Sequence, residues 1–326
     1  MSGLLYEVPS RIHMGLYDLT GELGRVDGGI GFSLSSPQLK FTASKSDEIV
    51  LQNSANLAPE LCEAVKSGLN QMQDRYGLGG IILTFVEGIP AHSGFGSKTA
   101  TVVSTAHAYA TIYNNDLKLI EIVGILGRGG TSGIGVNTIY QGGFILDGGH
   151  NRRNKPGFAP SSATVGVETP PVLARYDMPD WDVLLVMPHL GQGYGAREVS
   201  FFEENCPIPT QETEQIARII LSQVLPGVAT SDLEQFCDGV NALQDVGFKA
   251  REIGQYGKSL KTNTILQIMA SLHELGFKGV GMSSMGPLIY ALGPGDLDRV
   301  EDVAQGAEII KVSKPNNNGL NITQIE

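Results

Sequence analysis

Four short stretches gather cations, hydroxyls and carboxylates among glycines, and each is suited to holding an anion. Pro90–Ala100 reads PAHSGFGSKTA and lies between a β-type run and a helical one. Backbone N–H groups at a helix start are unpaired and carry partial positive charge, so an anion is stabilised there. Ser93, Gly94, Gly96, Ser97, Lys98 and Thr99 are therefore candidates for gripping a phosphorylated small molecule, with a capped helix as the plainer reading. The Gly-Ser-Lys-Thr string resembles a P-loop, but no glycine stands five residues before Gly96. Ser10–Gly31 holds Arg11, His13, Asp18, Arg25 and Asp27. Arginine forks suit phosphate or carboxylate, and a pair of carboxylates suits Mg²⁺; a solvated hairpin with surface ion pairs is the alternative. Gly127–His150 carries Arg128, Thr131, Ser132, Asp147 and His150, and Gly279–Gly286 (GVGMSSMG) carries Ser283 and Ser284. A tight structural turn explains the last of these equally well.

The elements that must position these residues follow from periodicity. Ile30–Leu34 and Ile81–Val86 are short, β-branched runs bounded by turn residues and read as strands. Pro59–Met72 and Thr99–Tyr113 have helical spacing, with His107 on a buried face. Gly142–Asp147 reads as a buried strand. A proline-rich stretch from His150 to about Pro179 marks a crossover, dividing a phosphate-binding domain at 1–170 from an α+β domain at 171–326. Trp181–Met187 opens the second half as a strand, with Trp181 in the core. Helical patterns follow at Thr213–Leu225, Ser231–Val246, Leu260–Leu275 and Asp296–Gln305, with a strand at Leu288–Leu292. The best place in this half for a contribution to the site is the run after Met187, with His189, Arg197 and Glu198. His92, inside the first glycine loop, also deserves weight. The order of elements implies an α+β layer pair.

Composition bounds the function. The chain has 326 residues, 41% apolar and 17% charged, which suits a globular enzyme. A net charge of −11 without a dense basic cluster argues against nucleic acid; Arg152-Arg153 with Lys155 is too short to serve. Three scattered cysteines form no disulfide framework or zinc motif. No leader or membrane-spanning run is evident, so the cytoplasm is the expected compartment, and a homodimer is the default assembly.

Taken together, Arg11–Gly31, Gly94–Thr99, Arg128–His150 and Gly281–Leu292 resemble the GHMP superfamily of small-molecule kinases. Within it they are most similar to the β-ribofuranosylaminobenzene 5′-phosphate synthase family. The resemblance implies a two-domain α+β fold: a ribosomal-protein-S5-domain-2-like N-terminal domain and a ferredoxin-like C-terminal one. Two departures from the kinase pattern favour the synthase branch. Ser97 is followed by Lys98 instead of a second small hydroxyl residue, and Gly135 stands where many kinases carry an aspartate base. The resemblance implies condensation of phosphoribosyl pyrophosphate with 4-aminobenzoate or 4-hydroxybenzoate, releasing CO₂ and pyrophosphate, with Mg²⁺ as cofactor. Lys98, Arg11, Arg25 and Arg128 are then candidates for the phosphates, Asp18 and Asp147 for the metal, and His13, Asp27 and His150 for catalysis. An ATP-dependent kinase and a catalytically silent nucleotide-binding relative stay open as alternatives.

Overall fold

A computed structural model describes residues 3–160, 163–164, 166–188, 190, 198–304 and 307–326. Strands β1 (Gly3–Asp18) and β2 (Arg25–Ser46) come first, then β3 (Val50–Asn53), helix α1 (Pro59–Tyr76), β4 (Gly80–Glu87) and α2 (Ser97–Ile112). Next come α3 (Leu119–Ile125), α4 (Ile134–Gln141), β5 (Phe144–Asp147), β6 (His150–Asn151) and β7 (Val172–Tyr176). After β8 (Val183–Pro188) the chain is largely helical. It runs through α5 (Glu198–Asn205), α6 (Thr210–Ile219), a π-helical turn at Ile220–Val224 and α7 (Leu225–Ala229). It continues through α8 (Leu233–Gln244), α9 (Gly247–Gly254) and α10 (Thr264–Glu274). The end is β9 (Gly279–Met282), β10 (Ile289–Leu292), α11 (Val300–Val303), β11 (Ala307–Ser313) and β12 (Asn321–Ile325).

The first sheet runs β12-β1-β2-β4-β3, with β5 and β6 against β2 and β7 against β5. Its pairs are antiparallel except β3 with β4. The second sheet runs β11-β8-β10-β9, antiparallel throughout. Among the described residues no helix is long and apolar enough to cross a membrane.

β8 shows why the second sheet is central. Val183 and Leu185 join the large core beneath the first sheet, while Leu184 and Val186 join a second cluster against α10 and α11. A strand buried on both faces is a continuous apolar run, as Val183–Met187 is. Helix ends follow local chemistry. Asp232 accepts from the Gln235 N–H at 3.0 Å and Asn263 from the Leu266 N–H at 3.1 Å, so α8 and α10 begin just past those caps. The Asp296–Gln305 pattern yields a 3-10 turn (Leu297–Arg299) and the one-turn α11 instead of a full helix.

β1 and β2 extend well past the Ile30–Leu34 run, because their polar residues alternate with buried ones. Two register shifts interrupt the pair, at Pro9/Ser10 and at His13/Gly15. The second lies where a β-bulge commonly re-aims a side chain. Beside it the strands approach so closely that a Cβ on Gly31 would fall 2.2 Å from the Ile12 carbonyl oxygen and 2.7 Å from Ile134. Gly31→Ala should therefore cost about 1–3 kcal/mol through overpacking. A fall in the urea midpoint at constant m-value is the expected reading; wild-type stability would mean that the strands part there without penalty.

Candidate active site

α2 begins at Gly96, whose φ of +79° lies in the left-handed region, and no side chain caps the helix. A Cβ there would be strained and would meet Arg11 Nε at 3.0 Å. Arg11 Nη1 donates to the Gly94 carbonyl, laying its guanidinium against the helix start. Arg11 Nε is buried and has no partner among the described residues. Burial lowers the Arg11 pKa, opposed by the pull of Glu198 and Glu252.

This helix start opens into a cleft of two adjoining lobes. The first, about 300 Å³, is lined by Ser93, Gly94, Gly96, Ser97 and Lys98, with Glu60 and His92 at its rim. His92 Nε2 lies 3.0 Å from Glu60 Oε1, and both are exposed. The second lobe, about 250 Å³, is lined by His13, Arg128, Thr131, Ser132 and Glu252, with apolar walls from Leu16, Val136, Phe202 and Met285. Arg11, Lys98, Thr99, Glu198 and Ser284 border both.

The Ser283–Ser284 turn binds the two lobes together. Ser283 Oγ donates to the Gly94 carbonyl at 2.8 Å and accepts the His13 N–H at 3.0 Å. The Ser284 N–H donates to the His13 carbonyl at 2.8 Å. Lys249, on α9, donates to the Ser284 carbonyl at 2.6 Å and pairs with Glu252 one turn along. Burial pushes Glu252 up and Lys249 down, each partly offset by the other. His13 Nδ1 is buried without a partner among the described residues. Burial, then Arg11, then Lys249, hold the ring well below 6.5, so it is neutral near pH 7.

Asp18, Arg25, Asp27, Asp147 and His150 lie outside the cleft lining. Asp27 and His150 meet in a buried cluster with Lys155. His150 Nδ1 lies 2.7 Å and Lys155 Nζ 2.9 Å from the same Asp27 oxygen. His150 Nε2 lies 3.0 Å from the Gly129 carbonyl, and Lys155 also donates to Gly130 at 2.7 Å and Ala159 at 2.9 Å. Asp147 accepts from Ser132 Oγ and from the N–H groups of Gly133 and Gly149, so it serves the start of α4. Its pKa is pushed up to about 6 by burial, against those hydrogen bonds. Asp18 accepts from the Thr20 hydroxyl and the Thr20 and Gly21 N–H groups, closing the turn after β1. Arg25 is exposed and donates to the Gly148 and Gly149 carbonyls. His189 and Arg197 lie outside the described residues, whereas Glu198 beside them does reach the cleft.

Sequence reasoning missed Lys155, Lys249 and Glu252. Lys249 and Glu252 have the i,i+3 spacing of a surface ion pair, and Lys155 follows two arginines in a loop. Only packing against chain-distant partners marks these residues as buried.

The match to known proteins agrees with this geometry. Residues 63–143 match the GHMP kinases N terminal domain. A Beta-ribofuranosylphenol 5'-phosphate synthase of Methanocaldococcus jannaschii is 37% identical, covering 98% of this chain and 100% of the relative. A protein of the same name from Archaeoglobus fulgidus is 38% identical over 89% of this chain and 87% of its own length. The chain belongs to the beta-ribofuranosylphenol 5'-phosphate synthase family. Its fold is shared with solved kinases. A homoserine kinase from Cytophaga hutchinsonii has a TM-score of 0.66 at 15% identity, covering 98% of this chain and 97% of that one. The Methanococcus jannaschii mevalonate kinase also has 0.66, at 13% identity, covering 96% and 98%. This member of the synthase family thus has the GHMP architecture.

The buried cluster generates a test. Lys155→Met would leave Asp27 buried beside only His150, and removing one partner of a buried pair costs about 3–5 kcal/mol. A drop of that size in unfolding free energy is expected; a change below about 1 kcal/mol, the scale of an exposed pair, would show that the cluster is solvated.

Proposed function

We propose that the chain condenses phosphoribosyl pyrophosphate with 4-hydroxybenzoate, releasing CO₂ and pyrophosphate and yielding a β-ribofuranosyl phenol 5′-phosphate for tetrahydromethanopterin biosynthesis. Membership in a family named for a ribofuranosylphenol product favours the phenol over the amine. The observation that supports the chemistry is His13, a neutral imidazole that borders the second lobe and whose buried Nδ1 has no partner among the described residues, next to the helix start proposed to hold phosphate.

The donor's diphosphate belongs at the N-terminus of α2, with Lys98 and Arg11. Its C1–O bond breaks with the electron pair leaving on pyrophosphate, and preorganised cations stabilise that charge. The ring carbon bearing the carboxylate attacks C1 while the para hydroxyl gives its proton to His13. The C–CO₂ bond then breaks, its electron pair restores the aromatic ring, and His13 returns the proton to the oxygen. The apolar walls at Leu16, Val136 and Phe202 disfavour a carboxylate's charge, and so favour its loss as neutral CO₂.

Mg²⁺ is part of the proposal, supplying neutralisation of diphosphate charge. Asp18 and Asp147 lie outside the cleft lining; both Asp147 oxygens already accept from Ser132, Gly133 and Gly149, and the turn after β1 occupies Oδ1 of Asp18. Among the described residues no group of three or more His, Cys, Asp or Glu side chains could hold a metal. Glu198 borders both lobes and is the carboxylate best placed to contribute, with the diphosphate providing most of the oxygens.

Carboxyl-labelled 4-hydroxybenzoate should release labelled CO₂ in step with pyrophosphate, and faster than 4-aminobenzoate does. ATP consumption with a small alcohol, and no CO₂ release, would instead make the chain a kinase. His13→Gln should lower kcat about 10²–10⁴-fold while leaving pyrophosphate binding intact. Because the pKa of His13 is depressed, its basic form persists into acid. The acid limb of kcat/KM should therefore lie below pH 6.5 and disappear in the variant. A limb above that value would rule out His13 as the base.

A further inference from the structure

Phosphoribosyl pyrophosphate has two anionic ends, and the cleft has two cationic centres held by independent means. Arg11 and Lys98 form the first, at the start of α2, where the Gly94 carbonyl fixes Arg11. Arg128 is the second. It borders only the second lobe, and its Nε is buried without a hydrogen-bond partner among the described residues.

The peptides just after Arg128 are fixed by the buried cluster that no step above uses. His150 reaches the Gly129 carbonyl at 3.0 Å, Lys155 the Gly130 carbonyl at 2.7 Å, and Asp27 holds both side chains. Burying such groups is unfavourable unless their hydrogen bonds are made, and here they are spent on the backbone that carries the guanidinium. The start of α4 cannot serve an incoming anion, because Asp147 already occupies it. Arg128 is the lining cation that borders this lobe and not the first, so an anion bound here apart from the α2 site would meet it.

We propose that Arg128 is the subsite for the donor's 5′-phosphate, distinct from the diphosphate site at α2, with Asp27, His150 and Lys155 as its positioning residues. This rests on the phosphoribosyl reading above. The acceptor's carboxylate is the other anion of the reaction, but it must lose its charge as CO₂. A guanidinium paired to it would stabilise the ground state more than the transition state and slow that step.

Titration calorimetry on the full chain with Mg²⁺ separates the possibilities, using inorganic pyrophosphate, ribose 5-phosphate and 4-hydroxybenzoate as individual probes. Arg128→Met should weaken ribose 5-phosphate about tenfold or more, the scale of a lost charge-assisted hydrogen bond, and leave pyrophosphate within about twofold. Lys98→Met should do the reverse. Lys155→Met, if it folds, should weaken ribose 5-phosphate selectively, which a purely structural role would not do. Should Arg128→Met not fold, Arg128→Lys keeps the charge without the fork and should show the same ligand selectivity with a smaller loss. Equal weakening of both phosphate probes, or weakening of 4-hydroxybenzoate alone, would overturn the assignment. Wild-type protein that binds neither phosphate probe would overturn the phosphoribosyl reading itself.

Discussion

The proposed reaction asks for a neutral base among the cations that a doubly anionic substrate requires, and burial is the main cause that keeps His13 neutral there. Arg11 and His13 stand two residues apart on β1 and border the same lobe. Lys249 adds a second cation from α9. In water an imidazole would still be partly protonated near neutrality. Taken out of water and placed beside two cations, it gives up its proton, and those same cations favour the substrate's phosphates. One electrostatic arrangement thus suits anion binding and keeps the imidazole unprotonated, while lowering its proton affinity.

Backbone geometry carries as much of the site as side chains do. The start of α2, the Ser283–Ser284 turn and the Gly129–Gly130 peptides each present main-chain groups at fixed places. Each is held by a partner distant in sequence: Arg11 on Gly94, Lys249 on Ser284, His150 and Lys155 on the loop after Arg128. Buried ion pairs add little net stability on their own account. Their use here is to specify where glycine-rich backbone sits, since glycine alone would leave it many conformations.

The solved kinases share this fold. Gly135 borders the cleft near Thr99, where a Cβ would lie 3.6 Å from the Thr99 methyl. Space for a side chain exists there, but no carboxylate occupies it. Asp147, a short way off along the chain, is committed to the start of α4. In the reaction proposed above the base is His13, from β1.

Much of the scaffold was legible in the sequence because it depends on neighbours along the chain. Apolar spacing marked α1, α2 and β8, and the glycines with Lys98 and Thr99 marked a helix start able to hold phosphate. Arg11, His13 and Arg128 could be nominated from their residue types alone. Which candidates share a cleft was not legible. Asp27 and His150, 123 residues apart, meet each other in a buried cluster outside the cleft lining. Lys155 looks like one more loop cation until it is found buried on Asp27, and Lys249 with Glu252 has the spacing of any solvated helix pair. Desolvation and charge proximity are sums over groups that only folding brings together, so the tertiary structure alone decided which ionisable side chains line the cleft and which hold the backbone in place.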